Sequence, residues 1–144
     1  MRHRTLLTCL VLLAGAAALA QDAALTASDA WISVAPGADV AAAYLTLHNG
    51  GTQPVVVRGV GSPRAATAMI HETRLVNGQS TMRAHEQLRI APGETVRFAP
   101  GGLHIMLQLK DATLTPGQQV PLTLQLAGGA TLTVTALVRP LGEG

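Results

Sequence analysis

Four side chains with soft or borderline donor atoms follow one another at fixed intervals: His71, ten residues, Met82, twenty-one residues, His104, one residue, Met106. Two imidazoles and two thioethers suit monovalent copper, a soft ion that accepts low coordination numbers. Zn²⁺ would draw thiolate, imidazole or carboxylate, and Mg²⁺ or Ca²⁺ would draw oxygen. His104 and Met106 belong to an alternating stretch, 103–110. Leu103, Ile105, Leu107 and Leu109 make its aliphatic face, and His104, Met106, Gln108 and Lys110 point the other way. On a strand, residues two apart share a face at roughly 6.5 to 7 Å, so His104 and Met106 can both lean toward one ion. Taken alone, Met106 would be better explained as cover for a loop or edge, because a thioether usually fills apolar gaps. His71 and Met82 alter that balance. His71 lies on a strand candidate, 66–75, and Met82 opens the next one across Asn77-Gly78, a hairpin signal that can bring the two together.

The elements that must position these residues are short and β-like. Apolar or alternating segments at 30–34, 43–48, 55–60, 66–75, 81–90, 95–98, 104–110, 120–127 and 131–138 are separated by turn signals. Among these are Pro36-Gly37, Asn49-Gly50-Gly51, Pro92-Gly93, Pro100-Gly101-Gly102 and Gly128-Gly129. Such spacing leaves no room for crossover helices and indicates an all-β fold, a single antiparallel β-sandwich. Leu122, Leu124 and Leu126 share one strand face, as do Leu132, Val134 and Ala136, which makes both trios core candidates. Residues 22–28 read as a polar, mobile start.

Residues 1–20 have the form of a secretory signal peptide: a basic start, an apolar stretch from Leu6 to Leu19, and Ala18-Leu19-Ala20 as a small-x-small cleavage site before Gln21. Residues 21–144 are then one domain, exported to the periplasm and without stable membrane insertion. Lipid attachment at Cys9 is disfavoured, because that cysteine sits inside the apolar stretch without the small residues expected before it. Cys9 is also the single cysteine, so its removal leaves no disulfide and no thiolate, and soft-metal chemistry must use methionine. Two of the ten basic residues, Arg2 and Arg4, belong to the leader, while all eight acidic residues lie outside it. The remaining chain is balanced and its cations are scattered, so a nucleic-acid partner is excluded. Aromatic residues are 2% of the chain, too few for stacking platforms.

The spacing H-x10-M-x21-H-x-M, matched at all four positions, resembles that of the periplasmic copper chaperones called PCu(A)C. The likeness extends over Ala30-Trp31, Ala42-Ala43-Tyr44-Leu45, Ala91-Pro92-Gly93, the run Pro100 to Leu107, and Leu122-Thr123-Leu124. It implies a cupredoxin-like, Greek-key sandwich that binds copper as Cu(I) through His71, Met82, His104 and Met106. It further implies a role in cytochrome c oxidase assembly. The partner would be an oxidase subunit carrying the binuclear copper site or a thioredoxin-like copper-delivery protein. Members often carry another methionine where this chain has Ser80, a departure that bears on a second ion rather than the first.

Other residues have simpler readings. His85, three positions beyond Met82, faces the opposite way on an ideal strand and reads as a solvated histidine. Met69 shares strand parity with His71 and could approach an ion, although packing is the plainer role. Glu72 adjoins His71, and neighbours on a strand point apart, so it is not expected to orient that imidazole. Trp31 and Tyr44 read as core anchors. The chain is not expected to be an enzyme: it has no Gly-x-Ser-x-Gly elbow, no thiol nucleophile and few carboxylates near the histidines. Blue-copper electron transfer needs a cysteine thiolate. Copper sequestration and a metal-free structural sandwich are the alternatives to delivery, and the latter leaves the four-residue spacing unexplained.

Overall fold

A computed structural model describes residues 24–143, so the expected leader and Cys9 lie outside the described residues. Ten strands follow in order: β1 (Leu25–Val34), β2 (Val40–Asn49), β3 (Val55–Gly61), β4 (Ala65–Val76), β5 (Gln79–His85), β6 (Leu88–Ile90), β7 (Thr95–Arg97), β8 (Leu103–Leu109), β9 (Gln119–Leu126) and β10 (Thr131–Pro140). No helix forms among the described residues. Hydrogen bonding runs through one path, β5-β4-β8-β2-β1-β10-β9-β3-β6, with β7 attached to β2. The path curls until β3 lies against β4, so the strands form the two layers of a sandwich around a common core. All ladders are antiparallel except β1 with β10, where Trp31 lies beside Leu137 and Val34 beside Pro140.

Strict alternation fixes which side of each strand is buried. On β8, Ile105, Leu107 and Leu109 are buried, and across from them Ala43 and Ala41 of β2 and Ile70 of β4 are buried too. Leu122, Leu124 and Leu126 of β9 enter the core as the alternation requires; on β10, Ala136 is buried and Leu132 and Val134 are half-buried against it. The opposite face of β8, β4 and β5 is thereby turned away from the core, and it carries His71, His104, Met69, Met82 and Met106. A one-residue slip in this register would exchange the two faces, so the aliphatic half of β8 holds the donor half in place.

Two segments differ from expectation. Residues 25–28 are not a mobile start: they pair with β2 from Leu25↔Asn49 to Ser28↔Thr46. Leu25 is buried, and a bulge with Asp29 at φ 53° lets the strand resume at Trp31↔Tyr44. The expected strand 81–90 is two strands, because the chain passes between layers after His85. β5 pairs with β4, whereas β6 pairs with β3 and buries Ile90. Neither glycine nor proline marks that crossing. Trp31 and Tyr44 stack on each other, with ring centroids 4.4 Å apart, and the Arg139 guanidinium lies 5.2 Å over the Trp31 ring.

One buried polar residue ties the strand ends together. Asn49 is fully buried, and its amide Nδ2 donates to the carbonyls of Gln53 (2.7 Å) and Ile90 (3.1 Å), while Oδ1 accepts from the Gly51 N–H (3.0 Å). The buried amide thus has partners for its own polar atoms and ties three backbone groups together.

Candidate metal centre

The register of three neighbouring strands places the four motif residues on one face. His71 of β4 lies directly opposite His104 of β8. Cross-strand partners project to the same side, and the two rings stand 5.8 Å apart between centroids with their planes at 82°. One row along, Met106 lies opposite Met69; one row the other way, Met82 of β5 lies opposite Thr73. The structure therefore brings His71, His104 and Met106 close together. Met82 is on the same face but one strand farther out, across the imidazole row from Met106. Rows two residues apart are separated by roughly 7 Å, so both thioethers must lean inward to meet above the imidazoles. Their three rotatable side-chain bonds allow that reach.

The β4–β5 hairpin that carries Met82 is closed by Asn77 (φ 51°) and Gly78 (φ 77°) between the paired ends Val76 and Gln79. Positive φ at both central residues is the two-residue hairpin geometry that Asn-Gly favours, and this is what sets Met82 opposite Thr73. On the other side of β4 from Met82, the tight turn at Gly101 (φ 81°) presents the Gly102 carbonyl, which accepts the Thr73 N–H at 3.0 Å and lies 3.1 Å from His104 Nδ1. A carbonyl only accepts, so Nδ1 of His104 carries a proton, and in the neutral ring the lone pair is then on Nε2.

His71 has no such partner. Its Nδ1 is buried and makes no hydrogen bond among the described residues. An unsatisfied buried polar atom costs roughly 1 to 3 kcal/mol, and here it adjoins a second imidazole and a thioether. Burial first, and the proximity of His104 second, lower the pKa of His71, which favours the neutral form that a metal requires. His104 is itself buried, and Met106 is half-buried. No three His, Cys, Asp or Glu side chains gather where they could hold a metal ion among the described residues; beside the two imidazoles, the soft donors on this face are thioethers. The residues present fit a soft cation.

Neighbouring polar groups belong elsewhere. His85 lies opposite Ile70 and so on the reverse face, as its parity requires. Its Nε2 lies 2.8 Å from the Glu72 carboxylate, which also accepts from Arg74 at 2.8 Å. Hydrogen bonds from Arg74 and then His85 hold the Glu72 carboxyl below its ordinary pKa. Glu72 is thus engaged with His85 on the reverse face of β4, turned away from His71. His48, on β2, bonds Thr95 at 2.9 Å and lies away from this centre. Ser80 faces Leu75 near the hairpin tip. Met69 is the residue for which sequence parity was informative and the packing reading was not: it is 51% exposed, beside Met106 and two residues from His71.

These features define an all-β sandwich with a mixed imidazole and thioether cluster on one outer face. The chain belongs to the LpqE-like family, whose model matches residues 25–138, and the PCu(A)C resemblance holds at the level of structure. A relative from Leifsonia xyli subsp. xyli (strain CTCB07), "Putative lipoprotein Lxx21020", is 38% identical over 113 residues, covering 78% of this chain and 68% of its own. The Cu(I) form of DR1885 from Deinococcus radiodurans is similar with a TM-score of 0.63 and 33% identity, over 88% of this chain and 83% of that one. The copper-bound PCuAC domain from PmoF2 matches with a TM-score of 0.65 over 81% of this chain and 93% of that domain; at 21% identity it bears on the fold alone.

Proposed function

We propose that the protein is a periplasmic copper chaperone. It binds one Cu(I) through His71, Met82, His104 and Met106 and passes the ion on for assembly of respiratory oxidase copper centres. The observation that carries this reading is the directly paired His71 and His104, one with a buried nitrogen that has no hydrogen-bond partner among the described residues and the other donating from Nδ1 to a carbonyl, which leaves Nε2 for an ion. Met106 adjoins the pair, and Met82 shares its face. A similar chain, DR1885, is described in its Cu(I) form, which supports the choice of ion. Export through residues 1–20 accords with the name lipoprotein carried by the relative.

The ligand set suits transfer. Thioethers are uncharged, bind without releasing protons and can be replaced one at a time. Met82 is 54% exposed, so an incoming thiolate from a cysteine-bearing recipient reaches it before the buried imidazole of His104. This exposure favours delivery over sequestration, because a storage site would enclose its ligands.

Replacement of both Met82 and Met106 by leucine tests the assignment. The double variant keeps the volume of both side chains and should fold normally while its Cu(I) affinity falls by roughly 100-fold or more, given that even outer partners of a metal site are worth 10- to 100-fold. Unchanged affinity in competition with a chromophoric Cu(I) chelator rules the assignment out. Transfer of copper to a purified dithiol acceptor, scored against release to the chelator alone, separates delivery from storage.

A further inference from the structure

Sequence spacing singles out two methionines, yet the structure sets three around the paired imidazoles. Apart from Met1, the chain has only Met69, Met82 and Met106, and all three lie on the outer face of β5-β4-β8. None serves the aliphatic core, where a thioether is normally used. Met69 is directly opposite Met106, as His71 is directly opposite His104. Those four residues form two adjacent cross-strand rows on one ladder, with neighbouring side chains roughly 5 Å apart across the strands and 7 Å along them. Met82 stands outside this block, opposite Thr73 on the edge strand β5. By position on the sheet, Met69 is nearer to Met106 and His104 than Met82 is. Leaving a methionine half-exposed on a polar face has no packing benefit, and a thioether beside three other donors has an evident use.

We propose that Met69 is a further thioether ligand, exchanging with Met82 on one Cu(I) held by His71, His104 and Met106. The inference rests on the Cu(I)-binding reading above and adds a step to it. With Met82 engaged, the ion has two imidazoles and two thioethers. When a recipient displaces Met82 at the edge, Met69 takes the vacated position from within the β4–β8 ladder, so the ion keeps its sulfur coordination during transfer. No bond to hydrogen is made or broken and the copper stays monovalent; one neutral sulfur donor replaces another. Met82, on the edge strand, is the ligand that a partner meets. Met69, on an inner strand, is the one that stays.

The test uses the mature protein and three variants, Met69→Leu, Met82→Leu and the double, each titrated anaerobically with Cu(I) against a chromophoric chelator and measured by X-ray absorption at the copper edge. Leucine at half-exposed positions conserves volume, and equal thermal unfolding of the metal-free variants checks that the fold is kept. Met69→Leu is expected to weaken binding roughly tenfold. Met82→Leu is expected to retain two sulfur neighbours, from Met69 and Met106, and the double variant only one, with a fold-loss of affinity larger than the product of the two single fold-losses. Met69→Leu indistinguishable from the parent, together with a double variant matching Met82→Leu in affinity and sulfur count, overturns the role of Met69 and leaves the motif ligands standing. A parent protein that takes up no Cu(I) overturns both readings.

Discussion

His71 and His104 occupy the same rung of the β4–β8 ladder, with their rings 5.8 Å apart between centroids and nearly perpendicular. Thirty-two residues separate them in the chain, and the rung follows from ordinary strand pairing. The aliphatic residues that alternate with them, Ile70 and Ile105, are also paired and are buried. The core therefore aligns the site, because exchanging the imidazoles for the isoleucines would need a register slip that expels the core.

The unpartnered nitrogen of His71 makes that residue costly to the metal-free fold. His71→Leu is expected to raise the stability of the metal-free protein by about 1 kcal/mol, since an unsatisfied buried polar group disappears, while Cu(I) binding falls by roughly 100-fold or more. Chemical denaturation and chelator competition on the same preparation check both halves. A loss of stability without copper would mean that the imidazole has a partner in solution.

Acid should weaken copper binding later than an ordinary imidazole would allow. The pKa of His71 is lowered by burial first and by His104 second. A lowered pKa means that the folded chain resists protonation, so folding carries no protonation penalty above the usual imidazole range, and stability falls as pH drops from that range through the depressed value. His71 is a neutral ligand over the same span, so as far as it governs binding, affinity holds through the usual imidazole range and drops below it. Competition titrations at stepped pH read this directly.

Glu72 ties the base of the hairpin through Arg74 and His85. Its pKa is depressed by those two hydrogen bonds, Arg74 first, so its stabilising effect is present above the usual carboxylate range and disappears as pH falls through the lowered value. Glu72→Gln should cost roughly 0.5 to 1 kcal/mol at neutral pH, as partly solvated ion pairs do, and nothing in strong acid. Thermal unfolding of parent and variant across pH gives the difference.

Asn49 offers a test of the fold that leaves the metal face alone. Asn49→Ala strips partners from the carbonyls of Gln53 and Ile90 and from the Gly51 N–H, and should destabilise the protein by roughly 2 to 4 kcal/mol. Copper affinity of the folded fraction should stay at the parent value.

Much of this arrangement was legible in the sequence because strand periodicity writes burial into every second residue. The alternation of 103–109 separates core from donor face, and Asn77-Gly78 announces the hairpin that carries Met82. The sheet crossing after His85 was not legible. Its cause is the burial of Ile90 against β3, a tertiary contact with no local turn signal. The pairing of Leu25 to Ser28 was hidden for a similar reason: one buried leucine and the β2 backbone anchor a segment whose composition is polar. For Met69, parity with His71 could be read from spacing, but its exposure beside Met106 depends on which strand becomes the neighbour of β4.

X-ray absorption at the copper edge of the protein, loaded with one equivalent of Cu(I), addresses the central claim most directly. A first shell containing both nitrogen and sulfur, at one ion per chain, is the predicted result. A shell of nitrogen and oxygen alone, or failure to retain stoichiometric copper, would contradict it.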